Sequence, residues 1–394
     1  MLSVWSCVRS HEGCSDRGLS NPTMAFRIVC QKRLFNSTTL GVCALLLAIS
    51  HLPVLCLAQT PTNADKKNAA AFLAQGLDLA AGGQLAQAEV VMEKAKALAP
   101  KDTEVLTALA KTKARIGERE AATELFREVT VILPASADSH LNLAIALADQ
   151  ADLNGALREV SRAVELTPNR GLAHLNRARI LSDLNRRPEA ESEFTTACRL
   201  SPSNPECFFY WALLERQIGD FPKETSLLRT VVRLQPGNAE AYVLLAKSLN
   251  NQSKQAEAIA CWRKVLAINP KSQEAVYSLS RALRATDPAQ AKILEEQLFS
   301  LRQKADTLEQ VEALGNQAYV AINNKDWPIA ITTLRHAIDL CGDCEVSANL
   351  HKDLGLALCE SGDLSGGRQE LQLALHLNPN DPDILRALSL VSNN

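Results

Sequence analysis

Six prolines frame this chain. Pro100, Pro134, Pro168, Pro202, Pro236 and Pro270 follow one another at a constant spacing of 34 residues. At ordinary proline frequency, five successive hits in register arise by chance about once in ten million. A fixed period of this size means that one small structural unit is built repeatedly and stacked, so that neighbours bury what each unit cannot bury alone. The 394 residues are then not divided among two or three separate globules, the usual expectation at that length.

Other columns keep the same register. Small residues stand 24 before each proline, at Gly76, Ala110, Ala144, Ala178, Ala212 and Ala246. Alanines stand 12 before, at Ala88, Ala122, Ala156, Ala190 and Ala258, with Glu224 the exception. Larger apolar residues stand 8 before, at Met92, Phe126, Val160, Phe194, Leu228 and Trp262. Two antiparallel helices approach closely only where small side chains face each other, and the larger residue fills the space one turn away. Gly83, Gly117 and Gly219 fall midway, where the first helix ends and the chain reverses. The proline ends the second helix by forcing its predecessor out of the helical region. Asp102, Ser136, Asn204, Asn238 and Ser272 follow as N-caps. Glu104, Asp138, Glu206, Glu240 and Glu274 then meet the positive end of the next helix. Aromatics make up only 4% of the chain against 46% apolar residues, as expected of a core written in Ala, Leu and Val.

These columns resemble the tetratricopeptide repeat family, whose pattern has small residues at the eighth, twentieth and twenty-seventh positions and proline at the thirty-second. The resemblance implies an all-α, right-handed solenoid of helix-turn-helix units. Six contiguous units are expected over 69–272, after a linker at 59–68. The fourth position carries Phe72, Leu106, His140, His174, Phe208 and Tyr242 in place of the family's Trp and Tyr. After Pro270 the register slips. Residues 273–310 read as a degenerate unit with Lys304 where the proline belongs, followed by a long helix from Ala289. That segment reads either as a joint or as a decayed repeat packed like the others. Two further units follow over 311–381, and a capping helix within 382–394 covers the end of the stack.

The first 58 residues read as a leader. Arg27, Lys32 and Arg33 precede an apolar run, Leu40–Leu57, which ends at Cys56-Leu57-Ala58. That is the layout of a secretory signal, with Met24 as the functional start. Cleavage after Ala58 removes five basic and two acidic side chains and leaves a net charge of about −5. The alternative is an uncleaved membrane anchor, since the run is near the minimum length for a span. Export to a bacterial periplasm or the exterior is expected in either case.

Eleven cysteines reduce to six beyond the leader. Cys341-Gly342-Asp343-Cys344 admits three readings: a local disulfide, free or metal-binding thiols, or a redox pair. Residue 345 is Glu, which excludes the usual c-type haem attachment. Cys198 and Cys207 flank the Pro202 turn and form a second candidate bridge. His140, His174 and His351 share one column and read as packing residues.

No HExxH, GxSxG, GxGxxG or phosphate-cradling loop occurs. A regular solenoid also lacks the inserted pocket in which nucleophile, base and oxyanion donor converge. The expectation is a non-enzymatic scaffold with no cofactor, no metal and no nucleic-acid partner, since 42 basic and 44 acidic residues balance. The family resemblance implies a concave groove lined by the first helices. It points to Asn142, Asn176, Arg179, Tyr210, Arg216, Lys247 and Asn250 as residues facing a protein or peptide. Asn142 and Asn176 resemble two rungs of the asparagine ladder in the superhelical arm of O-linked N-acetylglucosamine transferases. An amide supplies both donor and acceptor to a peptide backbone. Solvated polar residues on a wet face are the plainer reading. The rivals are a thiol-disulfide or metal-handling protein built on Cys341 and Cys344, and a membrane-anchored assembly factor.

Overall fold

A computed structural model describes residues 62–342 and 344–392. The leader expectations (the Met24 start, the apolar run and the Ala58 cleavage) lie outside the described residues. Within them the chain is helical throughout. The helices are α1 Asn63–Ala81, α2 Leu85–Leu98, α3 Thr103–Ile116, α4 Arg119–Ile132, α5 Ala137–Asp149, α6 Leu153–Leu166, α7 Gly171–Asp183, α8 Arg187–Leu200 and α9 Pro205–Ile218. They continue as α10 Phe221–Leu234, α11 Ala239–Asn251, α12 Gln255–Ile268, α13 Gln273–Leu283, α14 Pro288–Asn323, α15 Trp327–Cys341, α16 Ser347–Glu360, α17 Leu364–Leu377 and α18 Pro382–Ser392. Each helix packs chiefly on its neighbours in the chain, most heavily within hairpins such as α1·α2, α5·α6 and α7·α8. The result is an all-α solenoid of stacked hairpins.

The columns explain the packing. Ala88, Ala110, Ala144, Ala156, Ala178, Ala190, Ala212, Ala246 and Ala258 are all fully buried at the helix crossings. Gly76 shows how tight these are, because a Cβ there would stand 2.6 Å from Met92 Cγ. Met92, Val160, Phe194, Leu228 and Trp262 fill the adjoining space and are themselves buried. Asp102, Ser136, Asn204, Asn238 and Ser272 each accept a backbone hydrogen bond from the first turn of the following helix. Five of the second helices carry their own caps, Asp152, Asp220, Asp287, Asp326 and Asp363, whereas α2, α4, α8 and α12 start without one.

The reversal between paired helices needs a left-handed residue. Gly83, Gly117 and Gly219 supply it with φ of 80°, 103° and 84°. In the intervening units the same place is held by Ala151, Asn185 and Ser253, at φ of 63°, 58° and 59°, where a Cβ is costly. Units are tied to one another by polar contacts as well. Gln150 Nε2 donates to Arg119 O at 2.9 Å and to Thr123 Oγ1 at 2.6 Å, and further along the stack Gln252 Nε2 does the same to Phe221 O and Thr225 Oγ1.

Three boundaries differ from the sequence reading. The first helix starts at Asn63, within the expected linker 59–68, because Thr62 and Asp65 close a capping box. The seventh unit keeps its close crossing, shifted by one residue. α13 is short, and Ala291 is buried where the column points to exposed Lys292. Finally, the long helix does not stop near residue 310. It runs 36 residues to Asn323, since no Gly or Pro interrupts it between Pro288 and Gly315. Its first half packs into one core through Leu294 and Leu298, and its second half packs into another through Val311, Ala318 and Ala321. Residues 302–306 between them are exposed. The closing helix α18 buries Ile384 and Ala387 and packs on α16 and α17.

Candidate functional site

The first helices α1, α3 and α5, together with the C-terminal end of α4, line an open groove of about 620 Å³. Its apolar floor includes Leu73, Leu77, Val129 and Leu133, of which Leu77 and Leu133 are exposed. Lys111, Glu104 and Asp138 bring charge to it, Thr107 a hydroxyl and Asn142 its amide. The groove therefore offers apolar contact together with donors and acceptors for a backbone. A depression of similar size, lined by residues of α2, α3 and α4, holds Lys113, which is paired with Glu89, Glu93 and Glu118.

The expected residues divide into those presented and those engaged. Asn142 is partly exposed in the groove. Asn176 is not a second rung: it is buried, and its Nδ2 donates to Leu172 O at 2.9 Å in its own helix. Arg179 stacks on the Tyr210 ring with its guanidinium carbon 4.1 Å from the centroid, and Tyr210 stands edge-on to Phe209. Lys247 forms an ion pair with Glu274 of the next unit. Asn250 is exposed.

Arg216 reaches back from its helix towards Glu224, Nη1 lying 3.9 Å from Oε1. Glu224 is the exception in the alanine column, and only 2% of its surface is exposed. Burial pushes its carboxyl above the ordinary carboxylate range, while Ser248 and Arg216 pull it down. Glu224 Oε2 and Arg216 Nη1 are both buried without a hydrogen-bond partner. Beside them, Glu215 accepts from Trp211 Nε1 at 2.7 Å and pairs with Lys223 at 2.6 Å.

The three histidines of the fourth column pack through hydrogen bonds. His140 Nδ1 meets Glu159 Oε2 at 2.7 Å, His174 meets Glu193 at 2.7 Å, and His351 meets Glu370 at 2.6 Å. Nε2 of His140 and His174 reaches the carbonyl of Pro134 and Pro168 in the preceding turn. The signal was present in the sequence: a Glu stands 19 residues after each of these histidines. Units with an apolar fourth position carry an apolar partner instead, as in Leu106 with Leu125 and Phe208 with Leu227.

Of the cysteines, Cys341 and Cys344 lie with sulfurs at bonding distance and Cα atoms 5.2 Å apart. The expected Cys198–Cys207 bridge is open, both residues being buried free thiols. Among the described residues no group of three or more His, Cys, Asp or Glu side chains is placed to hold a metal ion. None of the described helices is long and apolar enough to cross a membrane.

A stack of helical hairpins at a 34-residue period, each closed by small residues at its crossing, defines the class: an α-solenoid that presents a groove. Residues 141–205 and 239–272 match models of the tetratricopeptide repeat, and the all-α stack to which they belong is a tetratricopeptide-type solenoid. Among solved structures it is similar to PilW, a widely conserved type IV pilus biogenesis factor, at 18% identity over 54% of this chain and 98% of that one, TM-score 0.49. It is also similar to pilF of Pseudomonas aeruginosa, at 19% identity over 55% and 99%, TM-score 0.47. A thermophilic tetratricopeptide protein of Thermus thermophilus shares 24% identity over 46% and 98%, TM-score 0.41. No curated protein matches the sequence.

Proposed function

We propose that this chain is a non-enzymatic scaffold that binds a protein or peptide in the groove lined by its first helices and the end of α4. The observation that carries the reading is the groove itself, where exposed Leu77 and Leu133 sit beside the Asn142 amide and the Lys111 ammonium. Apolar anchors with a few polar groups are what a docked segment needs. The reading extends to place: the basic-then-apolar layout before Ala58 supports work in the bacterial cell envelope, outside the cytoplasm. The test is affinity for a partner captured from an envelope fraction. Asn142→Ala weakens binding by about 1 kcal/mol through the lost backbone hydrogen bond, and Leu77→Ala weakens it further, with folding unchanged. Affinity indifferent to both changes defeats the groove as the binding site.

A further inference from the structure

Cys198 lies in the last turn of α8 and Cys207 in the first turn of α9, on either side of the Pro202 turn. Both are buried, 7% and 0% exposed, in one apolar cluster with Leu175, Phe194 and Leu214. The two thiols are close enough for each to shift the other's ionisation. Packing does not call for sulfur at either place. The residues 34 before and after Cys198 are Val164 and Val232, and those around Cys207 are Ala173 and Ala241. Only at the junction of the fourth and fifth units does the register bring two thiols together.

The two thiols are unequal. The interaction with Cys198 holds the Cys207 thiol below its ordinary range against burial and the Glu206 carboxylate, and the same interaction, with burial, pushes Cys198 up. Cys207 is also the third residue of α9, where the positive end of a helix favours a thiolate. Cys207 is therefore the attacking sulfur and Cys198 the resolving one.

We propose that Cys198 and Cys207 form a reversible dithiol–disulfide site that reacts with low-molecular-weight disulfides such as oxidised glutathione and, when closed, staples the fourth unit to the fifth. The Cys207 thiolate attacks one sulfur of the glutathione disulfide, breaking its S–S bond and releasing one glutathione thiolate. Cys198 then loses its proton and attacks Cys207 Sγ, displacing the second glutathione. Two protein thiols are oxidised to one disulfide and one glutathione disulfide is reduced to two thiols. Burial makes local opening of the α8–α9 crossing the gate to the reaction. Cys261, whose thiol burial pushes up to about 11, serves as the internal control.

The full chain is equilibrated over a series of reduced-to-oxidised glutathione ratios, acid-quenched, unfolded, alkylated and mapped by mass spectrometry. The expected result is joint, dithiothreitol-reversible loss of alkylation at Cys198 and Cys207, with a linked peptide between them and Cys261 still alkylated. Cys198→Val installs the residue of the neighbouring units and so preserves packing; it leaves Cys207 as a persistent glutathione adduct. Two results overturn the proposal: both thiols alkylated at every ratio, or a Cys198→Val chain that carries no adduct under the conditions that oxidise the parent.

Discussion

The His174–Glu193 pair gives the sharpest test of how the units are built. Replacing His174 by Leu removes a hydrogen bond to a carboxylate at 2.7 Å and one to Pro168 O at 2.8 Å. The Glu193 side chain, 14% exposed, is left with Arg177 alone. A bond to a charged group is worth about 1.5–3 kcal/mol and a neutral one about 1 kcal/mol. Partial compensation by the new apolar contact brings the expected loss to about 2–4 kcal/mol. Glu193→Leu alone also costs, because it strands the imidazole. The double change recreates the Leu106–Leu125 arrangement of the second unit, in which both side chains are buried. It therefore recovers most of the loss, giving a coupling energy of about 2 kcal/mol or more. Urea unfolding of the parent, two singles and the double measures it, provided the four share one slope. Additive singles, with coupling below about 0.5 kcal/mol, refute the view that the fourth and twenty-third positions are chosen as a pair.

Other outcomes follow from particular residues. Ala151→Gly raises stability by about 1 kcal/mol, since φ there is 63° and glycine carries no Cβ penalty; a loss in urea unfolding contradicts it. Glu224→Gln is stabilising at neutral pH, and its advantage grows as pH rises. A carboxyl raised above its unfolded value of 4.5 binds its proton more tightly when folded, so the parent loses stability as pH climbs through the folded value. Parallel unfolding curves for the two proteins across that range contradict this. Cys341 and Cys344 yield no free thiol when protein purified from its native cells is unfolded and alkylated without reductant; labelling of both defeats the loop clamp.

Much of this architecture is written in short-range chemistry that a single sequence exposes. Pro134 or Ala144 has the same work in every unit, so repetition reveals it. The features that escaped are those where units differ or communicate. Ala151 sits in a left-handed turn that only its neighbours' glycines betray. The ties from Gln150 and Gln252 stand in the sequence at a multiple of the repeat spacing but join elements that no local pattern pairs. Asn176 occupies the same column as Asn142, yet its amide is taken up by Leu172 O, a rotamer choice that register does not encode. The one-residue shift at Ala291 follows from the short α13; Asp287-Pro288 marks the turn but not the residue at which α13 stops. Glu224 was visible as a break in the alanine column, while its burial against Arg216 emerged only from three-dimensional packing.

The groove is tested most directly by photocrosslinking. A photoreactive amino acid is placed at Thr107 or Asn142, which line the groove, and in parallel at exposed Glu128 or Arg162 on the second helices. Crosslinks to one protein partner from positions 107 and 142, absent from 128 and 162, are the predicted result. Equal crosslinking from both sets, or crosslinks confined to the second helices, contradicts a scaffold that binds through its groove.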